Sequence, residues 1–355
     1  MKRVAVMIIL FFLTVQPAWA ENTVLQIPGM DELLDYGESY QVTANGGLDG
    51  GISGLLQQAS DMMAGLLKQG FSIAVRLLVV VVVCAFAQGA VEAGAELLPV
   101  TRMAGALAIT ALSVGEVGGM VSLGRETIRQ MDDFSQLLLP VMATVTAATG
   151  NISSAAVRQG ATMLFSTLLI QLIDRLLLPL VYAYVAACCG YAALGNEGLK
   201  RVAGLIKGVV NGTLTVFLLI YVAYLSISGA IAGTTDAAVV KAAKLAMSRA
   251  IPVVGGILSD AAETVLAGAG LLKGTVGVVG LIVVLTICLA PFLHLAVHYL
   301  TYKLTAALAG TVADVKLTGL IEDISSAFGL VLGMTGSCAL ILLISMVSGI
   351  AAVLS

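Results

Sequence analysis

Six stretches of this chain (71–90, 100–122, 176–194, 213–232, 276–299 and 328–354) are each long and apolar enough to cross a bilayer, which takes about twenty residues of helix. Inside lipid the backbone must satisfy its own hydrogen bonds. An all-α fold follows: a polytopic integral membrane protein with about six or seven transmembrane helices. Composition agrees. Hydrophobic residues make up 59% of the chain and charged residues 11%, where a soluble domain carries about 25%, and the mean hydropathy is +1.03. A net charge of −3 offers no basic field for nucleic acid.

The apolar blocks also repeat. Pro140 and Pro179 lie 39 positions apart, as do Pro252 and Pro291, and the two pairs are offset by 112 residues. The offset grows to 115 at Gly204 and Gly319 and to 120 at Ser228 and Ser348, as loop insertions require. Internal repeats interrupted by proline are characteristic of polytopic transporters and channels. The apolar runs 137–150, 161–173 and 252–270 are shorter than a full crossing, so short re-entrant or interfacial segments are expected there.

Taken in order, residues 1–20 read as a signal peptide: Lys2 and Arg3, an apolar run, then Ala18, Trp19 and Ala20 as a cleavage site before Glu21. An uncleaved first anchor is the alternative. Residues 21–70 form a short acidic exported region, with a glycine-rich break at 45–54 and a small amphipathic helix at 52–67. Residues 71–136 hold two transmembrane helices followed by an interfacial helix, 124–136, which carries Arg125, Glu126, Arg129, Asp132 and Asp133. The first membrane repeat occupies 137–232 and the second 250–355. A cleaved signal and six crossings put Ser355 outside with the N-terminus. Lys200, Arg201, Lys207, Lys303 and Lys316 are then cytoplasmic, as the positive-inside rule asks, while Arg125, Arg129, Lys241, Lys244 and Arg249 fall outside against it.

Two sets of residues stand out. Asp174 and Arg175 are adjacent opposite charges within a long apolar run. Neighbours on a helix point about 100° apart, so they do not pair with each other. Either they form a polar element of a pore or subunit contact, or they sit in an interfacial turn between a short segment and a full span. Their twins in the second repeat are Thr286 and Ile287. Gly204, Gly208 and Gly212 recur every fourth residue and make a smooth strip for close helix packing.

Other signals carry no chemistry. His294 and His298 share one helix face without further zinc ligands, and read as interfacial residues capping a span. The sequence GAGLLKGT at 268–275 has its lysine before the glycine and is no phosphate loop. GISG at 51–54 lies outside any apolar span. Cys84, Cys188, Cys189, Cys288 and Cys338 sit in apolar segments and read as small buried hydrophobes. No catalytic, cofactor or metal residues are expected, and the chain does not read as an enzyme.

From about residue 131 to 355 the sequence resembles the stage III sporulation protein AE family of endospore-forming bacteria. The resemblance rests on LLLPVMATVTAATG, LLPLVYAYVAACCGYAALGNEGLKRVAGLIK, TTDAAVVKAAK, IPVVGGILSDAAETVLAGAGLLKG and YKLTAALAG. It implies a subunit of the channel complex, a secretion-like apparatus, that links mother cell and engulfed forespore and sustains late forespore sigma factor activity. The implied partners are a separate ATPase, ring-forming proteins and a forespore subunit. The implied location is the mother-cell-derived outer forespore membrane. Two other functions fit a repeated membrane chain. One is a secondary transporter, whose solute would need intramembrane polar residues such as Asp174, Arg175, Glu92, Glu96 or Glu116. The other is a structural platform for ring subunits.

Overall fold

The computed structural model describes residues 47–90, 97–148, 152–227, 275–312 and 314–354, together with Asp35. The described residues form helices with short turns and no strands. They are α1 (Gly47–Ala90), α2 (Leu97–Ala148), α3 (Ile152–Leu172), a π-turn (Ile173–Leu177), α4 (Leu178–Leu194), α5 (Glu197–Ile227), α6 (Thr275–Ala309) and α7 (Val315–Leu354). Six rods among them are long and apolar enough to cross a membrane, with α3, the π-turn and α4 counted as one continuous rod. The 40 residues of α7 make a rod of about 60 Å, roughly twice the hydrocarbon thickness, so the bundle extends beyond the bilayer core.

The α6–α7 hairpin forms the centre. Tyr302 and Phe328 meet edge to face at 5.0 Å, and Ser325 Oγ donates to the Tyr299 carbonyl at 2.9 Å. In α7 the residues from Ala327 to Ala339 are buried almost without interruption on every side of the helix. Such a helix has no polar face to give to solvent and takes the middle of the bundle. Helix α2 runs parallel to it: Gly105 lies against Leu317, and Gly124 against Val331 and Thr335. Close approach depends on these glycines. At Gly280 an added Cβ would come within 2.7 Å of Met346 Cε.

The α4–α5 hairpin lies against α7 from outside. Tyr184 OH donates to Asp323 Oδ1 at 3.2 Å, and Tyr221 OH to the Ile341 carbonyl at 3.2 Å. Between α4 and α5, Gly195 adopts φ 71°, a left-handed cap that favours glycine, and Asn196 Oδ1 accepts from the Gly198 N–H at 2.8 Å. On α5, Ala203, Val210, Leu214, Tyr221 and Leu225 are buried while Val202, Leu205, Val209, Val216 and Ile220 are exposed. This helix has one inner face and one outer.

Several expected breaks are absent. Helix α1 begins at Gly47 and runs unbroken through the glycine-rich stretch into the first apolar span. The segments read as a span, an interfacial helix and a re-entrant segment (100–122, 124–136 and 137–150) are one helix, α2, as far as Ala148. Its polar middle keeps a stripe at helical spacing, Ile128, Met131, Phe134 and Leu138, and that stripe is buried in the bundle instead of resting on headgroups. Pro140 sits inside α2, its single missing donor tolerated by packing on both sides. The interfacial turn considered for Asp174 and Arg175 is likewise absent, because 161–173 and 176–194 belong to one rod. The glycine-strip segment and the span after it are both α5. The signal peptide, half of the acidic region (21–34 and 36–46), Glu92, Glu96 and the segment 228–274 lie outside the described residues.

Candidate functional site

The two adjacent charges mark a change in helix geometry. Asp174 and Arg175 occupy the π-turn, where the Leu178 N–H reaches back five residues to the Ile173 carbonyl. Pro179 follows immediately and cannot donate a backbone bond. Proline alone does not explain the wide turn, since Pro140 and Pro291 sit within α-helices without one. The charges are what distinguish this position. At the twin positions in α6, the Thr286 hydroxyl turns back to the Ile282 carbonyl at 2.7 Å and Ile287 is buried.

The π-turn presents Asp174 to α2. Arg125 Nε lies 2.7 Å from Asp174 Oδ1, and Arg129, one turn further along α2, places a guanidinium nitrogen 4.0 Å from Oδ2. The Arg125 contact is an ion pair out of hydrogen-bond alignment, so both buried atoms keep hydrogen-bonding capacity among the described residues. Arg175 is exposed and has no ion-pair partner among the described residues. Together these groups line a groove of about 160 Å³ with Gln171, over an apolar floor that includes Ile128, Ile173 and Leu178. Three guanidinium groups face one carboxylate there. Surface π-turns of this kind often accompany functional positions.

A second polar set lies deeper. His298 is buried, its Nδ1 2.8 Å from the His294 carbonyl and its Nε2 3.2 Å from Glu116 Oε2. Tyr302 OH donates to Ser113 Oγ at 3.2 Å in the same layer. His298 is therefore a core residue and not an interfacial cap, because Glu116 on α2 supplies the partner that burial demands. Glu116 was legible as a lone acid in an apolar span, but its histidine was not.

The family profile for stage III sporulation protein AE matches residues 34–353. The chain belongs to that family. Stage III sporulation protein AE from Bacillus subtilis (strain 168) is 32% identical over 192 residues, which is 53% of this chain and 47% of that protein. The match thus spans about half the length of the curated relative. No solved structure matches. The profile takes in every described helix, so the sporulation family and the six-span bundle describe the same stretch of chain. Here the stage III AE fold has a role in sporulation and a multi-pass membrane character.

The glycine strip stands apart from the charged groove. Gly204, Gly208 and Gly212 are exposed, and no described atom lies within 4 Å of where a Cβ would be at any of them. No described helix packs there. Close approaches between helices are made instead at Gly70, Gly105, Gly124 and Gly280, which do not recur at four-residue spacing. Cys188, Cys288 and Cys338 are buried and Cys84 and Cys189 half-buried, all with free thiols. Among the described residues no three acidic, histidine or cysteine side chains group as a metal site. The arrangement of the groove suits binding and positioning of charge.

Proposed function

We propose that this protein is the polytopic subunit of a channel complex between mother cell and forespore, needed for late forespore sigma factor activity after engulfment. The match to the stage III AE family across 34–353 carries this reading. The partners on this reading are a separate ATPase and ring-forming proteins, and the location is the outer forespore membrane. The outward glycine strip supports assembly with other subunits, since a smooth helix face left open by the described helices is available to a neighbour. Copurification from sporulating cells with identification of the bound subunits is the test. Recovery of a membrane protein without an ATPase or ring-forming proteins would overturn the reading, and solute uptake by the isolated protein in liposomes would favour a transporter.

The orientation on this reading follows from the α4–α5 corner. Lys200 and Lys316 lie 5.2 Å and 5.7 Å from the Tyr191 ring centre, and Lys316 and Arg102 flank Gly195. A basic end belongs on the cytoplasmic side. A cysteine introduced at Asn45 should then react with an impermeant thiol reagent once the outer compartment is opened.

A further inference from the structure

The groove at the π-turn has a charge imbalance that the contacts among the described residues leave in place. Arg125, Arg129 and Arg175 contribute three positive charges against Asp174 alone. Glu126 and Asp132, the nearby acids of α2, accept from Gln130 at 3.3 Å and Gln136 at 3.2 Å and do not line the groove. Asp133 does not line it either. A guanidinium fork matches a phosphate in shape and charge, and two or more forks at one groove bind it in preference to a neutral group.

The surroundings name the kind of phosphate. On the side of the groove that leads to the basic α4–α5 corner, Leu176 and Tyr182 of the same rod and Leu112 and Val114 of α2 are 47%, 47%, 41% and 61% exposed. Exposed leucine beside exposed arginine on a membrane-spanning rod is the profile of a hydrocarbon surface meeting a headgroup layer, because a guanidinium on the lipid side is costly below that layer. Basic pockets between transmembrane helices bind anionic headgroups by this combination. We infer that the groove between α2 and the π-turn binds the phosphate of an anionic phospholipid, held by Arg129 and Arg175 and backed by the Arg125–Asp174 pair, with its acyl chains running toward the α4–α5 corner along Leu176, Tyr182, Leu112 and Val114. Asp174 in this arrangement fixes Arg125 and sets the net charge of the site.

The test uses the full chain in nanodiscs and measures retained lipid by native mass spectrometry. Phosphatidylglycerol should be retained in preference to phosphatidylcholine. The exposed double variant Arg129→Gln with Arg175→Gln should bind phosphatidylglycerol about tenfold more weakly, with unchanged helicity and monodispersity. Lys303→Gln, which removes a basic group paired with Glu322 elsewhere on the bundle, should bind as the parent does. Equal retention of the two lipids, or an unaffected double variant, would overturn the site. Thermal protection of the delipidated protein by inorganic phosphate alone, equal to that given by phosphatidylglycerol, would overturn the lipid as the source of the phosphate.

Discussion

The hairpins α4–α5 and α6–α7 occupy opposite situations in the bundle. In the apolar part of α7, 83% of residues are buried in the bundle, against 22% in α5. The difference lies in how the apolar residues are distributed. Helix α7 is apolar or small on all sides from Ser325 to Met346, so every face can be covered by a neighbour. Helix α5 keeps Lys200, Arg201 and Lys207 and an outward glycine strip, and only one face returns to α7. The two hairpins thus divide into a core hairpin and a rim hairpin; on the rim Lys200 and Arg201 are exposed, while Lys207 turns inward and donates to Ser326 Oγ on α7 at 3.0 Å.

The largest effect expected from this contrast is at Phe328. It is buried and stacks edge to face with both His298 and Tyr302. Phe328→Ala should cost about 3 kcal/mol in detergent-solubilised protein, through the cavity left behind. Val216→Ala on the rim should change stability by no more than about 0.5 kcal/mol. Equal melting shifts for the two would remove the distinction between core and rim.

Next is the buried polar layer beneath the hairpin. Glu116→Leu strands His298 Nε2 and should cost about 2 kcal/mol, while Glu116→Gln restores an acceptor and recovers most of it. Unfolding curves of the pair in one detergent would show it.

The glycines sharpen the comparison further. Gly124→Ala pushes a methyl group into Val331 of the core and should destabilise by about 1 to 2 kcal/mol. Gly208→Ala meets no described atom and should leave the isolated protein as stable or more so by up to about 1 kcal/mol, through helix propensity. Gly208→Leu should keep insertion and melting temperature but lose copurifying subunits. Normal sporulation with leucine at 208 would mean that the strip meets no partner.

The smallest effect is expected at the charged groove. Asp174→Leu removes a half-exposed partner of Arg125 and should cost about 1 kcal/mol, a value limited by screening at this exposure. Leu176→Ala beside it should be nearly silent in melting and in spore yield. A normal spore yield from the Asp174 variant would confine its role to local packing.

Much of the architecture was legible in the residues. Membrane residence, the helical class and the spans come from the length of apolar stretches, and lipid permits few alternatives for a backbone that must satisfy itself. Asp174 and Arg175 stood out because charge within an apolar run is costly. Their partners did not, since Arg125 and Arg129 lie about fifty residues away in a stretch whose polarity resembles that of a surface helix. Boundaries failed for the same reason: a polar stretch such as 124–136 ends an apolar run in sequence, but backbone hydrogen bonds continue through it and its buried stripe holds it in the bundle.

By itself the sequence determined that this chain is a bundle of membrane helices and which family it resembles. Those properties depend on local composition and on spacing along the chain. Only the tertiary structure decided which hairpin is central, that the glycine strip faces outward, that His298 meets Glu116, and that three arginines surround one aspartate at a π-turn. Each of these depends on which helix lies beside which, and in lipid that choice is made by close packing and polar pairing between segments far apart in the chain.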